Sequence, residues 1–181
     1  MSLLRAHQHI QEEDSWIAAG AIRNPIWAKL HNIAYRPDLE NDVDVIYFNA
    51  AHDSAYEEGY RKQLDSLLPN VNWEVRNQAR MHIRNDDAPY KDCFHALEHW
   101  AETATAIGAR LVSGKIELIA PYGVEDLLGL IVRPTPKFTR KLQIYESRID
   151  EKEWADKWPR LDIVRPEKIT PPVCGGESES F

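Results

Sequence analysis

Asp42 and Asp44 stand two residues apart at the head of an apolar run made of Val43, Val45, Ile46, Tyr47 and Phe48. β-Branched and aromatic residues in such a run predict a strand. Side chains at i and i+2 of a strand share a face, so the two carboxylates project together while Val43 and Val45 turn toward the core. A charge leading into a buried strand is costly unless something binds it. That context separates this pair from Glu12/Asp14, Asp38/Glu40, Glu40/Asp42, Glu151/Glu153 and Glu177/Glu179, which have the same spacing and read as solvated acids. Rigid paired carboxylates suit a metal ion that bridges to phosphate oxygens. A strand-edge loop is the competing reading.

Upstream, Ala19-Gly20-Ala21-Ile22-Arg23-Asn24 sets small residues between a short apolar run at 16–19 and a helical pattern at 22–31. Backbone N–H groups and the helix dipole at such a strand-to-helix turn can receive phosphate; a turn kept small for packing explains the same residues. Pro25 is expected in the first turn of that helix, where its missing N–H costs nothing.

The other elements follow from periodicity and breakers. Residues 3–13 predict a helix, 36–41 a loop around Pro37, and Ser54 with Glu57 a capping box opening a helix that carries Tyr56, Tyr60, Leu64 and Leu67 up to Pro69. Val71, Trp73 and Val75 alternate with Asn72, Glu74 and Arg76, the period of a half-buried strand with Glu74 on its polar face. Helices are expected at 79–85, 93–100 and 124–130, strands at 105–112 and 116–120 joined through Ser113-Gly114, and a last amphipathic helix at 138–154. One domain over 1–165 and a flexible tail over 166–181, rich in Pro, Gly, Ser and Glu, complete the plan.

A net charge of −7 disfavours broad attraction to a nucleic-acid backbone. Cys93 and Cys174 form no CxxC pair, which points away from a disulfide framework or thiolate zinc site and toward a reducing, cytoplasmic setting. No apolar stretch is long enough to span a bilayer, so no membrane partner is expected.

AGAIRN resembles the glycine and arginine turn of tRNA-CCA-adding enzymes and bacterial poly(A) polymerases, and NDVDVIYF resembles their D-x-D strand. More widely, AAGAIRNPIW, NDVDVIYFN, EVRNQARMH, ETATAIGARL, APYGVEDLLGLIVRP and KWPRL resemble a family of small bacterial nucleotidyltransferase-like proteins, over most of residues 16–161. The resemblance implies an α/β (α+β) nucleotidyltransferase fold, a mixed sheet flanked by helices. It implies Mg²⁺ (or Mn²⁺) on Asp42 and Asp44, with Glu74 as a third carboxylate; a surface Glu paired with a neighbouring cation is the alternative for Glu74. Gly20, Ala21, Arg23, Asn24, Asn77, Arg80 and Thr103 become nucleotide or phosphate contacts. Two departures stand out: Ala19 where the pattern has a second glycine, and a long gap between Gly20 and Asp42 that an inserted loop would fill.

The expected activity is transfer of a nucleoside monophosphate from a nucleoside triphosphate to an acceptor, with pyrophosphate released. A non-catalytic nucleotide-binding module and a metal-dependent phosphodiesterase are the rival readings. Acidity favours a small-molecule or protein acceptor over nucleic acid. Arg76, Arg80, Arg84 and His82 compete between a phosphate-facing patch and surface ion pairing. His95 and His99 have metal-ligand spacing but no glutamate directly after the first histidine, so a helix face is preferred. Trp100, Trp154 and Trp158 read as core or interface anchors.

Overall fold

The computed structural model describes residues 1–35 and 42–166; the loop expected at 36–41, all but the first residue of the tail expected at 166–181, and Cys174 lie outside the described residues. The elements run α1 (Ser2–His7), β1 (Ser15–Ala18), α2 (Gly20–Leu30), β2 (Val43–Tyr47), α3 (Ser54–Leu67), β3 (Trp73–Asn77), α4 (Gln78–Asn85), α5 (Cys93–Leu97), β4 (Gly108–Val112), β5 (Lys115–Ile119), α6 (Glu125–Leu128), β6 (Ile131–Val132), α7 (Leu142–Lys152), α8 (Trp154–Lys157) and β7 (Asp162–Ile163). Five strands form a mixed sheet in the order β3-β2-β1-β4-β5. Within this sheet, among the described residues, only β2 and β3 run parallel, joined by α3 as a crossover, and its other pairs are antiparallel; β6 and β7 pair in parallel as a separate two-stranded sheet.

Strand alternation gives the sheet two unlike faces. One carries Ile17, Val45, Tyr47, Trp73, Val75 and Ala109, covered by Leu4, Ala6 and Ile10 at the N-terminus and by Leu64 of α3. His7 is buried on this side, its Nε2 hydrogen-bonded to Ser15 Oγ at 2.8 Å. On the other face Trp16, Ala18 and Ile46 meet Cys93 and Leu97 of α5, with Ala106 and Ile119. Asp44, Glu74 and Arg76 share that second face by register. A third cluster joins Trp27 of α2, Leu127 of α6, Val132 of β6, Tyr145 and Ile149 of α7, and Trp154 of α8, making a helical layer beside the sheet.

Several boundaries differ from the sequence reading. The first helix stops at His7, far short of residue 13. Because α2 begins at Gly20, Pro25 is its sixth residue and has no N–H to offer the Ala21 carbonyl; it is not in the first turn. The capping box does not form: Asp53 is the N-cap, accepting from Ala55 N, while Glu57 reaches to Asn77 N and Arg80. The strand expected at 105–112 starts at Gly108, because Thr105 N and Ala106 N both donate to Glu102 O and coil the chain into a turn. The single helix expected at 138–154 is a 3-10 turn (Pro136–Lys141), then α7, then α8, with Glu153 at φ 48 breaking the last two.

Candidate active site

Asp44 on β2 stands directly opposite Glu74 on β3 in the parallel register. Asp42 lies just before β2, and its side chain accepts from Asn72 Nδ2. Glu74 Oε1 accepts from Arg76 NH2 at 2.6 Å, so the expected third carboxylate is both a neighbour of Asp44 and one half of a surface ion pair. Burial, reinforced by the negative charges of Glu74 and Asp42, pushes the Asp44 carboxyl up to about 6; Arg23 and Arg148 oppose the shift. Like charges crowded onto one face raise proton affinity in this way, and the same crowding favours a cation.

One strand over, β1 ends in the turn that opens α2. Ala19 adopts φ 51, ψ −124, a conformation that glycine takes readily and alanine resists. Residue 19 is thus where a second glycine would relieve strain. A Cβ at Gly20 would meet only the side-chain ends of Asn24 (Nδ2, 3.5 Å) and Arg23 (NH2, 3.6 Å). The protein's own packing does not require a glycine there.

Arg23 projects from α2 into the interior. Its NH1 donates to Thr105 Oγ1 at 2.8 Å and its Nε to Asn24 Oδ1 at 3.2 Å. The guanidinium packs over the rings of Trp154 (4.6 Å) and Trp27 (5.0 Å). Burial lowers its pKa to about 10; Glu102 and Asp44 raise it and Arg148 lowers it further. Gly20, Ala21, Arg23 and Asn24 therefore converge on one turn beside Asp44.

The remaining residues singled out from sequence have side chains already engaged within the fold. Asn77 caps α4 at the far end of β3, its amide bonded to Asn49 O, His52 O, Asn49 N and Ala79 N, which uses its full capacity. Arg80 pairs with Glu57 at 2.5 Å. The Thr103 hydroxyl donates to Asp126 at 2.6 Å, and Asp126 pairs with Arg133. His95 and His99 stack edge to face, 4.9 Å apart, against Tyr90. Sequence reasoning passed over Glu102 and Arg148, an ion pair at 2.6 Å with Glu102 only 1% exposed. The signal for Glu102 was available: a lone charge heading the apolar stretch Ala104, Ala106, Ile107.

Among the described residues no three His, Cys, Asp or Glu side chains form a closed metal cage. Mg²⁺ seldom needs one, since it takes one or two protein carboxylates and completes its shell with phosphate and water. Asp42 and Asp44 offer hard oxygen donors, and Asp44 lies half-buried opposite Glu74, so the donor set fits.

The sequence matches the nucleotidyltransferase family over residues 5–163. A solved protein whose NMR structure reveals a CCA-adding enzyme head domain is 34% identical, with a TM-score of 0.80 over 92% of this chain and 89% of its own. Two tRNA-processing enzyme structures, one of them an apo form, share the fold at 12% and 14% identity, each with a TM-score of 0.55 over 90% of this chain. The chain spans less than half of those two enzymes, 42% and 43%. No curated protein matches the sequence. With its family match running from residue 5 to 163 and its mixed sheet shared with these structures, the chain belongs to the nucleotidyltransferase family.

Proposed function

We propose that the chain transfers a nucleoside monophosphate from a nucleoside triphosphate to an acceptor hydroxyl and releases pyrophosphate. One observation carries this reading: Asp44 and Glu74 oppose each other across β2 and β3, one strand from the Gly20 turn. The strand order β3-β2-β1 supports an in-line arrangement. Triphosphate lies toward β1, the α-phosphate over Asp44, and the acceptor toward β3. Mg²⁺, or Mn²⁺, held by Asp42 and Asp44 would supply charge neutralisation for the phosphates. Glu74 takes the proton of the acceptor hydroxyl. The acceptor oxygen bonds to the α-phosphorus, the bridge to the β-phosphate breaks, and pyrophosphate leaves beside Gly20.

A small-molecule or protein acceptor fits the β3 side better than a polyanion. A cavity of about 470 Å³ there is lined by Asp42, Glu57, Glu58 and Glu74, against Arg61 and Arg76. Both arginines are already paired, Arg61 with Glu58 and Asp65 and Arg76 with Glu74. The likeness to a CCA-adding enzyme head favours a ribose end instead, so an RNA 3′ end belongs among the acceptors assayed for pyrophosphate release.

The deciding experiment is calorimetric titration of the four nucleoside triphosphates with and without Mg²⁺, repeated on Asp44→Asn. Binding that needs both metal and Asp44 is expected. Affinity indifferent to both would leave a nucleotide-binding module without transfer chemistry.

A further inference from the structure

Glu102 presents a cost that packing does not explain. Its carboxylate is buried; Oε1 accepts from Arg148 Nε at 2.6 Å, while Oε2 accepts nothing among the described residues. A buried charge with half its capacity unused is expensive, and an ion pair of this kind is weak evidence for stability. What Glu102 does is hold position. The turn it opens is stitched to the active-site side at three points: Thr105 Oγ1 receives Arg23 NH1, Ile107 O receives Ala19 N, and Glu102 receives Arg148. One buried turn thus docks the strained residue 19, the buried arginine of α2 and an arginine of α7.

Two guanidiniums are thereby gathered on the side of Asp44 away from β3. Arg23 NH2 lies near Gly20 and has no acceptor among the described residues. Arg148 keeps about a third of its side chain exposed, with only its Nε committed to Glu102. Each guanidinium therefore retains N–H groups in the fork that suits phosphate oxygens. Their mutual repulsion is felt, since Arg148 depresses the proton affinity of Arg23, and both act on Asp44. Both guanidiniums are anchored on the one turn, Arg23 at Thr105 and Arg148 at Glu102, with the carboxylates of Glu102 and Asp44 as their neighbouring charges.

We propose that Arg148, held by Glu102, completes with Arg23 a two-arginine receptor for the β- and γ-phosphates of the triphosphate. The proposal rests on the nucleotide-site reading above and adds a residue from α7, far along the chain from Asp42 and Asp44. Arg148 is a binding residue; Glu102 is a positioning residue acting through it.

The test compares calorimetric affinities for a nucleoside triphosphate, the matching monophosphate and inorganic tripolyphosphate, all with Mg²⁺, in the wild-type chain and in Arg148→Ala, Arg148→Lys and Glu102→Gln. Circular dichroism checks that each variant folds. Arg148→Ala is expected to weaken triphosphate and tripolyphosphate binding by roughly tenfold or more, as loss of a charge-assisted contact does, with monophosphate affinity nearly unchanged. Arg148→Lys should recover part of the loss, and Glu102→Gln should shift the triphosphate-to-monophosphate ratio in the same direction as Arg148→Ala. An unchanged ratio in Arg148→Ala and Arg148→Lys, while Asp44→Asn still abolishes binding, overturns this proposal and leaves the nucleotide site standing. A lowered melting temperature with an unchanged ratio in Glu102→Gln reduces Glu102 to a structural ion pair and overturns its positioning role. If the wild-type chain binds no triphosphate, the nucleotide-site reading fails and this proposal with it.

Discussion

The two faces of the central sheet are built from alternate residues of the same strands, yet they are governed by different physics. Ile17, Val45, Tyr47, Trp73 and Val75 are nearly inaccessible, and α1 and α3 close over them. Residues one step along, Asp44, Glu74 and Arg76, stand partly open and crowd charge together. The first face is stabilised by removing apolar surface from water; the second sets the carboxylates of Asp44 and Glu74 side by side, only partly offset by Arg76 and the more distant Arg23 and Arg148. Changes on the closed face should therefore cost stability without chemistry, and changes on the charged face the reverse.

The largest expected effect is on the charged side. Asp44→Asn should lower turnover by on the order of a thousandfold, as the loss of one electrostatic contact to a transition state does, while the melting temperature holds or rises. Pyrophosphate release beside a thermal scan checks both halves; a variant that melts markedly lower would mean Asp44 holds the fold together. On the closed side, Leu64→Ala removes a fully buried side chain and should cost about 3 kcal/mol in denaturant unfolding. Turnover per folded molecule should stay unchanged.

Acid separates the faces by sign. Burial, with Arg110 nearby, depresses the His7 pKa to about 4. Between that value and 6.5 the unfolded chain carries a proton that the folded chain refuses, so stability falls by about 3 kcal/mol as pH drops through this window. Asp44, raised to about 6, does the opposite: below 6 the folded chain holds the extra proton, and stability rises by about 3 kcal/mol down to 3.8. In metal-free buffer the wild-type chain should lose little between pH 6 and 4, whereas Asp44→Asn should lose stability steeply. Parallel acid profiles for the two would erase the contrast. The smallest effect concerns the turn between β1 and α2: Ala19→Gly should raise stability by about 1 kcal/mol by relieving φ 51, ψ −124, read from the shift in denaturant midpoint.

Much of this contrast could be read before the structure, because period-two alternation is local. Asp44 opposite Val45, and Glu74 between Trp73 and Val75, follow from strand geometry. That Asp44 and Glu74 face each other does not, since parallel register is set by α3 and the packing beneath it. Arg148 was invisible for a related reason. On a segment read as one amphipathic helix its charge is ordinary, and only the turn at 102–107, whose second half was read as the start of a strand, brings it to the site. Thr103 and Asn77 show the converse: motif neighbours of the site whose side chains serve Asp126 and the α4 cap.

Gly20 has a consequence for how this protein would respond to selection. Its backbone is not in the left-handed region, and a methyl group there would touch only two side-chain tips. Replacing glycine by alanine where the backbone permits it stabilises a protein by roughly 0.4–1 kcal/mol, chiefly by restricting the unfolded chain, so a laboratory selection for heat resistance alone should replace Gly20 early. A lineage that keeps glycine at this position forgoes that gain, which the proposed function would explain by the room a phosphate needs there.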